Sequence, residues 1–126
     1  MDAAIEKALA TDLVVDMTTT GRRSGELRTV EIWFHRLDGK YYITGWPGSR
    51  GWYANLLADP RFVIHFKQPA VPDLAAIAHP VTDPTLRRKI LQAVFEIEGG
   101  APRGDFETWV ADSPIIEFTS SETGAS

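Results

Sequence analysis

Apolar positions change their period several times along the chain. Residues 2–10 set Ile5 and Leu9 one helical turn apart behind Asp2, a good N-cap, and predict a short helix inside an N-terminal segment 1–11. Leu13 to Thr19 is rich in Val and Thr and predicts a strand. Gly21-Arg22-Arg23-Ser24-Gly25-Glu26 then interrupts with a polar loop between two glycines. Leu27 to Leu37, carrying Val30, Ile32, Trp33 and Phe34, predicts the second strand. Asp38-Gly39 is a two-residue hairpin signal, and Tyr41 to Trp46 is the returning strand.

Gly45-Trp46-Pro47-Gly48-Ser49-Arg50-Gly51 holds glycines and a proline too closely for regular structure and predicts a shaped loop. A helix follows from Ser49 or Arg50 to Ala58, with Trp52 and Leu56 one turn apart, and Asp59-Pro60 stops it. Phe62 to Lys67 and Leu74 to Pro80 predict two more strands. Asp83-Pro84 then opens the clearest helix, whose apolar stripe is Leu86, Ile90, Ala93, Val94 and Ile97. Arg87, Arg88 and Lys89 read as its solvent face, and Gly99-Gly100 as its end. A short helix over Asp105 to Ala111, a last strand over Ile115 to Thr119 and a mobile tail over 120–126 complete the pattern.

About six mostly antiparallel strands with peripheral helices predict an α+β class and a small split β-barrel rather than a doubly wound sheet. A length of 126 residues without an internal repeat fits one domain over 1–126. Cysteine is absent, so a thiol nucleophile, a thiolate–metal site and a disulfide are excluded. His35, His65 and His79 do not have metal-ligand spacing, and no metal is expected. The start of the chain lacks the basic-then-apolar order of a signal peptide, and no apolar run is long enough to span a bilayer; a cytoplasmic protein is the default expectation.

Net charge is −4, which disfavours a general nucleic-acid binder, but it is unevenly spread. Gly21 to Lys67 carries eight basic against four acidic residues, a balance of +4, and the remainder carries five against thirteen, a balance of −8. An acidic chain with one basic stretch points to a local anion site. Arg22, Arg23 and Arg28 put three guanidiniums and the Ser24 hydroxyl into one loop, where arginine forks match phosphate or carboxylate. The second loop leads into a helix N-terminus, which favours negative charge, and Arg50 stands in that turn. Trp46, Trp52 and Tyr53 surround the second loop and Trp33 lies on the adjoining strand, walls suited to a flat ligand.

Thr19-Thr20-Gly21-Arg22-Arg23-Ser24-Gly25-x-x-Arg28, then Asp38-Gly39, then Trp52-Tyr53-x-Asn55-Leu56-x-Ala58-x-Pro60 resembles the deazaflavin-dependent nitroreductase family, small split-barrel oxidoreductases. The likeness covers residues 13–67. It implies the deazaflavin coenzyme F-420, a hydride carrier with an anionic tail. By match, Arg22, Arg23, Ser24, Gly25 and Arg28 would take that tail. Thr44, Gly45, Trp46, Pro47, Gly48, Ser49 and Arg50 would wrap its phosphate and ring, while Trp52 and Asn55 would shape the pocket wall and hold the loop. The second loop is shorter than the family's and lacks its lysine, and no tyrosine follows Tyr53, so Phe106 and Trp109 are the nearest analogues of the family's C-terminal tyrosines.

The expected function is hydride transfer from reduced F-420 to a small apolar acceptor of the nitro, quinone or enone class. Glu31, Tyr41 and Tyr42 are the candidate proton donors. Glu31 and Asp16 lie in strands, facing either solvent or the pocket. Two other readings stay open: an FMN- or haem-binding barrel, and a non-catalytic binder of lipids or apolar metabolites. A homodimer is compatible with the exposed aromatics, whereas no basic amphipathic helix supports membrane association.

Overall fold

The computed structural model describes residues 2–97 and 105–121. Ten elements follow in order: α1 (Ala3–Thr11), β1 (Val14–Thr20), β2 (Leu27–Leu37), β3 (Lys40–Thr44), α2 (Gly51–Ala58), β4 (Arg61–Phe66), β5 (Leu74–Pro80), α3 (Pro84–Ile97), α4 (Phe106–Asp112) and β6 (Ile115–Ser120). The six strands close into an antiparallel barrel in the order β1-β2-β3-β6-β5-β4. The expected α+β barrel is what forms. The expected helix end at Gly99-Gly100 and the tail beyond Ser121 lie outside the described residues.

Alternation in the strands builds the interior. Val15 and Met17 of β1, Phe34 of β2, Ile43 of β3, Phe62 and Ile64 of β4, Leu74 and Ala76 of β5, and Ile116 and Phe118 of β6 form one buried cluster. Ile5, Ala8 and Leu9 of α1 and Trp52 and Leu56 of α2 join it. Each large side chain buried in this way contributes roughly 1.5–3 kcal/mol. The Arg36 guanidinium donates to the carbonyls of Leu9 (2.5 Å) and Asp12 (2.7 Å), which satisfies the end of α1 and fixes it to β2.

A second cluster lies outside the barrel wall. Tyr42, Val81 and Ile115 pack there against Ile90, Leu91 and Val94 of α3 and Trp109 and Val110 of α4. This packing corrects the reading of Arg87 as solvent-facing. Its side chain is buried, and it donates to the carbonyls of Val110 (2.7 Å), Val81 (2.8 Å) and Ser113 (2.6 Å). Arg88 does face outward and pairs with Glu107 at 2.6 Å. The returning strand ends at Thr44 rather than Trp46: the Gly45 N–H still reaches the Pro114 carbonyl at 3.1 Å in register with β6, but the proline has no N–H to return and the ladder stops there. Asp38 (φ 53°) and Gly39 (φ 76°) form the hairpin turn that the sequence predicts.

Candidate functional site

The first loop is a tight, internally bonded turn. The Gly21 N–H donates to the Glu26 carbonyl at 2.7 Å and the Gly25 N–H to the Gly21 carbonyl at 2.9 Å. Ser24 Oγ accepts from the Glu26 N–H at 3.1 Å. A Cβ on Gly21 would stand 2.9 Å from Ser24 Oγ and 3.0 Å from the Glu26 oxygen, so only glycine closes this turn without displacement. Asn55 of α2 is buried and ties the loop to the barrel. Its Nδ2 donates to Thr19 Oγ1 at 3.1 Å, and its Oδ1 accepts from the Arg22 backbone N–H (3.2 Å) and the Arg22 guanidinium (3.1 Å).

This tie brings the two predicted loops to the same end of the barrel. Between the first loop and the start of α2 lies a cavity of about 450 Å³, walled by Arg22, Arg23, Ser24, Arg28, Trp52 and Asn55. Arg28 pairs with Glu26 at 3.3 Å, and because both side chains are solvent-exposed the pair is weak and open to competition by another anion. No side chain caps the start of α2, so its first N–H groups add positive potential beside the arginines. Three guanidiniums and an uncapped helix start around one concavity favour a multiply charged anion.

A second cavity, about 310 Å³, opens on the other side of Trp52, between the outer face of β2, the loop after β3 and helices α3 and α4. Trp33, Trp46, Trp52, Phe95 and Trp109 give it aromatic walls. The Trp46 and Trp109 rings lie 5.4 Å apart and tilted, and Phe95 meets Trp109 edge to face at 4.9 Å. Thr44, Gly45 and Arg50 complete its loop side. Gly48 (φ 115°) sends its N–H to the Asp112 carbonyl at 3.2 Å, anchoring the loop to the end of α4. Pro47 and Ser49 line neither cavity, Gly48 borders a separate hollow beside Arg87, and Gly25 shapes the first loop (φ 74°) without lining its cavity.

The three candidate proton donors part company. Glu31 lies at the rim of the second cavity, exposed, with Oε2 2.8 Å from Lys67 Nζ. Asp16 faces outward beside it and pairs with the same ammonium at 2.9 Å. Tyr41 packs against the barrel core, 5.6 Å from the Phe118 ring and 6.5 Å from the Phe34 ring. Tyr42 is buried in the outer cluster, where burial and the nearby Glu117 and Asp38 push its phenol above the usual value. Neither tyrosine lines either cavity, because successive β3 side chains point to opposite faces, into the core or under α3.

His35, which the sequence offers only as a candidate metal ligand without the spacing for one, belongs to the second cavity. It is 5% exposed, its Nδ1 has no hydrogen-bond partner among the described residues, and burial together with Arg36 lowers its pKa to about 4. Leu91, Val94 and Phe95 of α3 are likewise cavity walls. The alternation Trp33, His35, Leu37 on one face of β2 was the available signal. Among the described residues no three His, Asp or Glu side chains converge as metal ligands would, and no helix is long and apolar enough to cross a membrane.

A family model described as F420H(2)-dependent quinone reductase matches residues 2–103. No curated protein matches the sequence. Among solved structures, a chain described as an F420 reductase is 21% identical over 92% of each chain, with a TM-score of 0.68. The F420-H2 dependent reductase FDR-A is 23% identical, over 86% of this chain and 95% of that one, with a TM-score of 0.63. A putative 5-nitroimidazole antibiotic resistance protein from Bacteroides thetaiotaomicron is 10% identical, over 95% of this chain and 80% of that one, with a TM-score of 0.71.

Proposed function

The chain belongs to the F420H(2)-dependent quinone reductase family and is an F420-dependent oxidoreductase, and from that premise we propose how its two cavities divide the work. The cationic cavity takes the anionic tail of F420, and the aromatic cavity takes the deazaflavin ring with a flat, apolar, oxygen-bearing acceptor of the quinone class. The observation that carries this reading is Trp52, which walls both cavities and so joins an anion site to an aromatic one.

The donor set suits the coenzyme. Arg22, Arg23 and Arg28 offer planar forks for phosphate and carboxylate, the Ser24 hydroxyl adds a further donor, and the uncapped start of α2 adds backbone N–H groups. Asn55 holds Arg22 and its loop in place through three hydrogen bonds. Bound F420 in its reduced form supplies the hydride. The protein's share is position and exclusion of water: Trp33, Trp46 and Trp109 cover the ring site, and the loop from Thr44 to Arg50 closes one side. Protons reach the acceptor from water at the open rim by Glu31, whose carboxylate is held by Lys67. FMN, with a single phosphate, would leave most of this cationic surface unused.

Titration with F420 and with FMN, followed by tryptophan fluorescence, tests the reading. F420 is expected to bind at least about tenfold more tightly than FMN, and the Arg22→Ala/Arg28→Ala double variant to lose that advantage. Reduction of menadione by the F420-loaded protein is the accompanying activity. Failure of F420 to bind below about 100 μM would remove the assignment of these cavities.

A further inference from the structure

The aromatic cavity contains one buried polar side chain, His35, whose Nδ1 has no hydrogen-bond partner among the described residues. His35 sits on the outer face of β2, opposite Tyr42 of β3, and shares the cavity with Leu91 and Val94 of α3. A buried ring nitrogen without a partner costs stability, and such groups are rare unless something else satisfies them. His35 Nδ1 is such an atom. The charged groups of this cavity, Glu31 and Arg50, are otherwise engaged, the first with Lys67 and the second with the Ser49 carbonyl at 2.9 Å.

We propose that His35 recognises the electron acceptor, donating a ring N–H to an oxygen of a flat apolar molecule such as a quinone or enone carbonyl. This rests on the assignment of the aromatic cavity to the acceptor. With its pKa lowered to about 4 by burial and Arg36, the imidazole is neutral at pH 7. It therefore presents one donor and one lone pair and no charge, which suits a neutral carbonyl and offers little to a carboxylate. His35 thereby selects among flat molecules of equal size by the presence of an oxygen, a distinction that the tryptophan walls do not make.

The experiment compares naphthoquinone with naphthalene, which has a similar fused-ring shape without the oxygens, on the full chain before cofactor is added. Binding is read by tryptophan quenching, and the absence of cysteine removes thiol adducts of the quinone. His35→Leu is expected to weaken naphthoquinone about tenfold and naphthalene less than about twofold, the size of one hydrogen bond. His35→Gln, which keeps an N–H, is expected to stay within about threefold of the original protein. In long-range proton–nitrogen spectra of the unsubstituted protein, the His35 ring nitrogens should move with naphthoquinone and stay still with naphthalene, a readout independent of how the variants fold. Equal losses for both probes, or unmoved ring nitrogens with naphthoquinone bound, overturn the proposal. If the unsubstituted protein binds neither probe while F420 still binds, the acceptor assignment fails and this proposal fails with it.

Discussion

Arg87 and Arg88 are neighbours on α3 with opposite fates. Arg87 spends its guanidinium on three buried carbonyls, which join α3 to the segment after β5 and to the end of α4. Arg87→Leu should cost about 3–5 kcal/mol, since the carbonyls lose their partners, whereas Arg88→Ala should cost less than about 1 kcal/mol. Urea denaturation of both variants checks the contrast. His35 leads to a pH effect whose sign is fixed. Its folded pKa, about 4, lies below the ordinary 6.5, so between those values the unfolded chain takes up a proton that the folded chain refuses. Stability is complete above pH 6.5 and falls as the pH drops, by roughly 2–3 kcal/mol at pH 4.5. Urea midpoints at pH 7 and 4.5 should show this loss in the original protein and a smaller one in His35→Gln. Neither residue announces its role in the sequence. An arginine flanked by Arg88 and Lys89 has the pattern of a charged face, and only the packing of α4 over α3 makes it interior.

At the scale of elements, what depends on neighbours along the chain was legible. Asp38-Gly39 dictates a hairpin because both residues tolerate positive φ. A Cβ on Gly39 would meet no atom within 4 Å, so Gly39→Ala isolates the backbone cost, about 1 kcal/mol, measurable as a lowered melting temperature with no change in F420 affinity. The cationic loop was legible for the same reason, since its arginines lie within a few positions of one another and its closing contacts are internal. The aromatic cavity was only half legible. Trp33, Trp46 and Trp52 lie near the second loop in sequence, but Phe95 and Trp109 reach it from α3 and α4, and no periodicity tells which side of a helix covers which strand. The register that sends Tyr41 inward and Tyr42 outward likewise depends on pairing with β6, far along the chain.

The chain carries its charge in two unequal parts, and three of the eight basic residues of the positive stretch, Arg22, Arg23 and Arg28, stand around one concavity. The chain as a whole is net negative, −4, which works against a polyanion, so attraction depends on that local patch. Raising sodium chloride from about 0.05 to 0.5 M shortens the screening length several-fold and should weaken F420 binding about tenfold, with little effect on a neutral quinone. Fluorescence titrations at both salt concentrations measure it, and equal salt sensitivity for the two ligands would argue against separate cavities. The barrel order has a consequence for how the protein is made. β6 is the last of the described strands in chain order, yet it is the stave between β3 and β5, so the ring stays open until Ile115–Ser120 has left the ribosome. Until then β3 and β5 each present an unpaired edge, which the nascent chain must keep from pairing elsewhere.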